Sequence, residues 1–433
     1  MWPLNVRTVW CSLLVVVYVV TDFVLADVGA TEQFCTEESI TTDESIFTCS
    51  CPSVTDTLIV QDKNISYENR HINIPDNTQH WRIGGCSTVH LSGPTLTSLN
   101  NIHTLHLHDI DHVHLAYDFF TQYNSPLQIL RLSHCTFDTL QGSLNIHAHK
   151  LKNISLEKMN WNDQIDILIQ TQEGQQLDLV AIRNSNIKVL GEINLSSRYV
   201  HTFVLENNNI GSINTGAIIQ DSHETIIQGN YIGALNFLSM DTDTYNFTLQ
   251  GNTIKSLALE SLVVNSAILL QVNNNSFFHI ERLGLTWLRS KYDQGTFVFS
   301  SNHFYEHGRG SLIFYFTIFN EKLKMQNNML HTTHCTCNTL KYIEEMTEMN
   351  ERTLNSFIQE RKDTYKLFMH SSFCLDKNGK SHLSSLCKTS EVNHHYWKIS
   401  VAVIIVIIII GFLVLAVKTH KGHRKYARLT VKT

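Results

Sequence analysis

The stretch FVLENNNI at Phe203–Ile210 decides the fold, because its pattern of apolar residues around one asparagine recurs along the chain. In general form the pattern is apolar-x-apolar-x-x-Asn-x-apolar. Further copies are TIIQGNYI at Thr225–Ile232, FTLQGNTI at Phe247–Ile254, LQVNNNSF at Leu270–Phe277 and FVFSSNHF at Phe297–Phe304. Alternate residues of a strand share one face, so each copy predicts a short strand that ends in a turn at the asparagine.

Copies nearer the N-terminus keep this frame but replace the asparagine. They are LRLSHCTF at Leu130–Phe137, ISLEKMNW at Ile154–Trp161 and VAIRNSNI at Val180–Ile187. From Leu132 to Leu249 the copies are spaced by 24, 26, 23, 22 and 22 residues. One short strand cannot bury its apolar face alone, so the copies are expected to stack into a β-rich parallel solenoid with a ladder of asparagines at the turns.

The cysteines fall into two groups of four that flank the repeats, and each group predicts two disulfides. Zinc binding is the alternative for the Cys-x-Cys pairs. Cys135 stands alone within the repeats and is expected to be a reduced, buried turn residue. The disulfide candidates are Cys35, Cys49, Cys51 and Cys86 before the repeats and Cys335, Cys337, Cys374 and Cys387 after them.

The pattern resembles that of extracellular leucine-rich-repeat proteins with cysteine-rich caps, over roughly residues 35–387. Cys135 occupies the Asn/Cys position of that repeat. Four early copies also have the additional apolar residue three places before the strand, namely Leu127, Leu151, Leu177 and Val200. The resemblance implies a horseshoe with disulfide caps. A right-handed β-helix is the alternative, because Ser222, Thr244, Ala267 and Gln294 stand at that place in the later copies.

The two ends of the chain predict a single-pass type I plasma-membrane protein with its N-terminus outside the cell. Residues 1–26 have the charge, apolar core and small terminal residue of a signal peptide. Residues 399–417 contain no charge and predict a transmembrane helix, and the basic segment 418–433 predicts a cytoplasmic tail. Glycosylation sequons on the predicted outer side lie at Asn64, Asn153, Asn194, Asn246 and Asn274.

Between these ends the sequence predicts four segments. Residues 27–86 form an N-terminal cap and residues 87–332 the solenoid. Residues 333–387 form a helical C-terminal cap, because Leu340, Ile343 and Met346 recur at helical spacing. Residues 388–398 form a juxtamembrane linker.

The net charge of -6 excludes a whole-chain nucleic-acid binder, and no common catalytic motif occurs. The sequence therefore predicts no enzyme, no cofactor and no metal site. Glu157, Arg183 and Glu206 are expected to form a charge ladder, with a catalytic trio as the alternative. A histidine cluster leaves three interpretations open: no role, a pH response or metal binding. It consists of His103, His106, His108, His112 and His114, with His90 expected to stack near His106.

The best functional surface that the sequence offers is a row of apolar to neutral residues expected to point outward from successive strands. These partner-binding candidates are Val204, Ile226, Thr248, Gln271 and Val298. They predict a non-catalytic recognition or adhesion protein that binds an extracellular protein or cell-surface ligand and acts with a co-receptor. The alternative function is a membrane-tethered β-helix that binds or cleaves glycans.

Overall fold

The computed structural model describes residues 34–387 and 399–414. Within the first range the description omits residues 40–44, 53–55, 62, 69, 94, 117–118, 121–124, 138–142, 173–174, 197–198, 291–294, 307, 314–321, 349–361 and 363–364. The predicted signal peptide 1–26, linker 388–398 and basic tail 418–433 lie outside the described residues.

The described residues are dominated by short strands, with few helices. The first strands are β1 Cys35–Ser39, β2 Ser45–Ser50, β3 Thr57–Gln61, β4 Asn64–Tyr67, β5 Arg70–Asn73 and β6 His80–Ser92, followed by the helix α1 Thr95–Ser98. The middle strands are β7 Thr104–Leu115, β8 Ile129–Phe137, β9 Ser143–His147, β10 Asn153–Glu157, β11 Asn160–Gln170, β12 Leu177–Arg183, β13 Asn186–Leu195, β14 Tyr199–Glu206, β15 Asn209–Ile213 and β16 Ile218–Gln228. The later strands are β17 Tyr231–Leu235, β18 Met240–Gln250, β19 Thr253–Leu257, β20 Leu262–Asn273, β21 Ser276–Ile280, β22 Leu288–Ser290, β23 Thr296–Ser300 and β24 His303–Phe304. The last elements are β25 Leu323–Gln326, β26 Asn328–His331, the helix α2 Thr339–Met346, β27 Ser372–Asp376 and β28 Gly379–His382.

These strands form a parallel β-solenoid, as the repeat predicted, and a central coil contributes to three ladders. Residues 240–244 of β18 lie in ladder one, residues 246–250 of β18 in ladder two, and β19 in ladder three. One strand serves two ladders because its pairing register shifts between Thr244 and Asn246. Ladder two runs from β2 to β25, and ladder three from β3 to β27.

The predicted asparagine ladder is present at the corner between ladders two and three. Its members are buried and are Asn208, Asn230, Asn252, Asn275, Asn302 and Asn328. Asn252 shows the arrangement: its Nδ2 donates to the Ile227 carbonyl at 2.8 Å and to Asn275 Oδ1 at 3.0 Å. Its Oδ1 accepts the backbone N–H of Asn230 at 2.9 Å. Each side chain therefore joins neighbouring coils where the strands turn and their peptide groups lack strand partners.

Both cysteine groups form two disulfides each, as the sequence predicted. The pairs are Cys35–Cys49, Cys51–Cys86, Cys335–Cys374 and Cys337–Cys387. Cys135 is a free, buried thiol, also as predicted, and burial raises its pKa to about 12. The ladders extend beyond residues 87–332 into both predicted caps, since β2 pairs with β6 and β26 pairs with β27.

The C-terminal cap contains α2, whose buried Ile343 and Met346 pack into the core beneath the last coils. Residues 365–371 are also helical. Residues 399–414 form a helix with mostly exposed side chains, but no helix among the described residues meets the length and apolarity needed to cross a membrane. The predicted transmembrane helix 399–417 is therefore not confirmed.

Candidate functional site

The predicted recognition row assembles on ladder two. Its members lie opposite one another in successive coils, in the order Val204, Ile226, Thr248, Gln271 and Val298. The predicted exposure of Val204 is wrong, because only 4% of its surface is accessible, whereas the other four residues are half-buried. Val204 is a short side chain between Thr202 and Glu206 on its own strand. Arg183 holds Glu206 beside it, with Nε at 3.1 Å from Oε2.

A predicted glycosylation site lies within the same face. Asn246 is two residues before Thr248 on β18, and Thr248 is the hydroxyl residue of that sequon. An oligosaccharide on Asn246 would cover the middle of the row. Of the sequon asparagines, Asn194 and Asn274 are exposed, whereas Asn64, Asn153 and Asn246 are half-buried. None of them lies on the outward face of ladder three between β17 and β26.

The histidine cluster is divided between two ladders, so the expected stacking of His90 near His106 is wrong. His90 stacks on His114 in ladder three at 4.5 Å between ring centroids. His106 lies in ladder two beside His108, at 5.0 Å between centroids. The division arises because β7 is long enough to cross the corner between the ladders. The described residues contain no group of three His, Cys, Asp or Glu side chains placed to hold a metal ion.

His106 is the most perturbed imidazole of the cluster. Burial, together with the charges of His108, Arg131 and Arg82, lowers its pKa to about 4. Its Nε2 lies 3.0 Å from the Ser133 hydroxyl. At neutral pH the ring is therefore uncharged, between two arginines on the adjacent coils.

Two sets of charged residues are the candidates for a catalytic site on this solenoid. Glu157 lies beside Arg183, and Arg183 pairs with Glu206, so the three residues form the expected charge ladder. Sequence reasoning missed a second set on ladder one, where Asp221 and Asp243 lie side by side and Asp241 is on the same face. Burial and the two neighbouring aspartates raise the pKa of Asp241. Asn265 donates a 2.7 Å hydrogen bond to Asp243 Oδ1, which places that carboxylate within a structural polar row.

Ladder three carries an aromatic row that sequence reasoning also missed. The row consists of Lys255, Phe278, Tyr305 and His331 on successive coils. Lys255 Nζ lies 3.3 Å from the Phe278 ring centroid, Phe278 stacks on Tyr305 at 4.4 Å, and Tyr305 stacks on His331 at 4.1 Å. Tyr305 is 36% exposed, and Tyr231 on the same face is 44% exposed.

A simple signal in the sequence marks this aromatic row. Each member follows a ladder asparagine by three residues, as Phe278 follows Asn275 and Tyr305 follows Asn302. Two coils earlier the same position is Gly211, followed by Gly233 in the next coil. A Cβ atom at Gly233 would lie 2.3 Å from the carbonyl oxygen of Gly211, so the backbone approach excludes side chains there. The aromatic row therefore begins after Gly233, at Lys255.

The fold and these surfaces were compared with known proteins. No family model, curated protein or solved structure matches the chain. The resemblance to leucine-rich-repeat proteins and the predicted recognition function both stay predictions.

Proposed function

We propose that the chain is a non-catalytic extracellular recognition protein that binds a protein partner through the aromatic row of ladder three. The four disulfides support an oxidising, extracellular location. The proposal includes type I anchoring in the plasma membrane through residues 399–417 and signalling with a co-receptor.

The proposed architecture is a β-helix and not a leucine-rich-repeat horseshoe. A leucine-rich repeat contributes one strand per repeat, and the rest of the repeat is a helix or a 3₁₀ segment. Three parallel ladders per central coil support the β-helix instead. The polar residues Ser222 and Thr244 agree with it, because they are buried and hydrogen-bonded to each other at 2.9 Å.

The observation that carries the functional proposal is the exposed aromatic row. Aromatic side chains are enriched at the energetic centres of protein interfaces, where they bury a large area with few rotatable bonds. Tyr231 and Tyr305 each leave more than a third of their surface exposed on the outward face of ladder three. The predicted row on ladder two is half-buried and has a sequon at Asn246, so it is the weaker candidate.

The stacking favours a protein over a sugar as the ligand of this face. A sugar ring binds an aromatic side chain by lying flat on its face. The two faces of Tyr305 already contact Phe278 and His331. The row therefore presents ring edges, which carry partial positive charge and suit carboxylate, carbonyl and aliphatic groups of a protein.

Cations at both ends of the row define the partner's chemistry further. Lys255 caps one end, and Lys380 lies 3.7 Å from the ring centroid of Phe373 near the other. Phe373 continues this face, because it pairs in register with Met329 on β26. The proposed partner surface accordingly presents aliphatic side chains flanked by carboxylates.

Adhesion of suspension cells tests the proposal. Cells expressing the full chain are mixed with cells of the same line that do not express it, and mixed pairs are counted. We expect Tyr305→Glu to reduce adhesion at least tenfold, because it places a charge at the centre of the row. Surface staining with a conformation-dependent antibody should stay near wild type.

Ile226→Asp is the matched control, because it places the same charge at the centre of the row on ladder two. It should leave both staining and adhesion unchanged. Loss of adhesion in Ile226→Asp with normal adhesion in Tyr305→Glu would assign recognition to ladder two. Expression of the chain without any gain in adhesion over the parent cells would contradict the proposed function.

A further inference from the structure

In the first coils of ladder two, two arginines are exposed and have no acidic partner among the described residues. Arg82 lies opposite His106, and His106 lies opposite Arg131, so the three side chains form one outward row on successive coils. We call these three residues the basic row. Both arginines are exposed, and neither forms an ion pair or hydrogen bond with another described residue. Two steps between strands separate the arginine backbones by about 10 Å.

The surroundings of the basic row are also positive. Lys150 is close enough to His103 to lower the pKa of that imidazole, although burial is the larger cause. Lys152 and Lys158 are exposed on the coil that follows Arg131. The nearest acidic side chains on this face already have basic neighbours. Asp109 contacts His108 at 3.0 Å and His134 at 3.5 Å, and Glu157 lies beside Arg183.

This geometry suits a ligand with repeated anionic groups. A guanidinium group binds a sulfate, phosphate or carboxylate through two parallel hydrogen bonds, and two such groups in line engage successive anions of an extended polymer. Among the described residues, no exposed aromatic anchor of the kind that protein interfaces use lies in the basic row. We infer that the basic row binds an anionic polysaccharide, a function beyond the proposed protein recognition because it uses a different ladder and different residues.

His106 couples this binding to pH. The groups that face it are His108 on its own strand, Arg82 and Arg131 on the two adjacent strands, the Ser133 hydroxyl and Asp109. A bound anion would offset the charges of the arginines and raise the pKa of His106. Binding then takes up a proton, so affinity rises as the pH falls.

Binding to immobilised heparin tests the inference with the purified full-length chain in 0.15 M salt. We expect the double substitution Arg82→Gln and Arg131→Gln to weaken binding at least tenfold. Lys324→Gln is the matched control, because Lys324 is an exposed cation in the same outward row at the other end of ladder two. It should leave binding within twofold of wild type. The affinity of the unaltered chain should increase between pH 7 and pH 5, and His106→Asn should reduce that increase.

Four results would overturn the inference. They are no binding of heparin by the unaltered chain, unchanged binding in the double arginine variant, an equal loss in Lys324→Gln, and tighter binding of poly-L-glutamate than of heparin. The last result would assign the basic row to an acidic protein. Replacing both arginines with lysine keeps the charge but loses the paired hydrogen bonds of the guanidinium groups, so the affinity should lie between those of the unaltered chain and the double glutamine variant. Ser155→Ala removes the neighbouring Asn153 sequon and should not weaken binding. The cell-adhesion assay with Tyr305→Glu is independent of these measurements, so the two proposals can fail separately.

Discussion

The two halves of the solenoid place different residues at the corner between ladders two and three. From Asn208 to Asn328 every coil places a buried asparagine between ladders two and three. In the earlier coils the same place is taken by Cys86, Ile110, Cys135, Met159 and Ser185. A left-handed residue precedes the corner in both halves, such as His134 at φ 52° and Asn207 at φ 54°. The backbone conformation thus makes the corner, and the asparagine adds bonds between coils.

The two halves do not differ in the regularity of their coils. Successive corners from Asn208 to Asn328 are 22, 22, 23, 27 and 26 residues apart, and those from Cys86 to Asn208 are 24, 25, 24, 26 and 23 residues apart. The difference lies in the bonds at the corner, because Asn252 bonds the backbone of the preceding coil and the side chain of the next, whereas an apolar residue such as Met159 packs in the core. Loss of one corner residue should therefore cost most within the asparagine half.

Asn252→Ala should have the largest effect of the substitutions that test this comparison. It leaves the backbone N–H of Asn230 and the carbonyl of Ile227 buried without their partners. Each unmet buried group costs about 1–3 kcal/mol, so we expect a loss of about 3 kcal/mol or more in the free energy of unfolding. Urea unfolding followed by tryptophan fluorescence measures it.

The control for Asn252→Ala is Asn236→Ala. Asn236 is a half-buried asparagine at a different corner, with one 3.3 Å hydrogen bond to Asn214 Oδ1. Its loss should cost less than about 1 kcal/mol, in line with a single weak bond near solvent. Equal effects of the two substitutions would show that the asparagine ladder adds nothing beyond local turn formation.

Ser185→Ala tests the boundary between the two halves and should have an intermediate effect. The Ser185 hydroxyl accepts the backbone N–H of Met159 at 3.0 Å and donates to the Arg183 carbonyl at 2.8 Å. We expect a loss of about 1–2 kcal/mol in the free energy of unfolding, since the Met159 N–H is buried and left unpaired. Ser185→Asn should restore the stability, because its amide oxygen can take the same N–H. A loss as large as that of Asn252→Ala would place the boundary earlier in the chain.

The sequence predicts this solenoid well because the apolar positions of each repeat all face the core. Phe203, Leu205 and Ile210 each face the core, and the asparagine fixes the corner between them. The number of ladders was harder to predict, because residues 240–244 alternate Met, Thr and Thr inward, a polar pattern that does not look like a core strand. The exposure of Val204 depends on the length of its neighbours, and that of Tyr305 depends on its stacking between Phe278 and His331. Neither quantity is contained in a single repeat.

Cys135→Asn should have the smallest effect and bears most directly on whether the two corners are interchangeable. The Cys135 sulfur accepts the backbone N–H of Ile110, and the thiol donates to the Ser133 carbonyl at 3.2 Å. An asparagine can replace both roles, since Asn208 Oδ1 accepts the N–H of Ser185 in the same way. The left-handed conformation of His134 stays unchanged. We therefore expect the free energy of unfolding to change by less than about 1 kcal/mol.

Cys135→Val is the control for Cys135→Asn, because it separates hydrogen bonding from apolar packing at the corner. Valine fills the corner but cannot accept the Ile110 N–H, so it should cost about 1–3 kcal/mol. If asparagine is tolerated and valine is not, hydrogen bonding governs the corner in both halves, and the early coils differ only in which atom provides it. If valine is tolerated and asparagine is not, the early corners depend on apolar packing. In that case the hydrogen-bonded corner would be confined to the asparagine half.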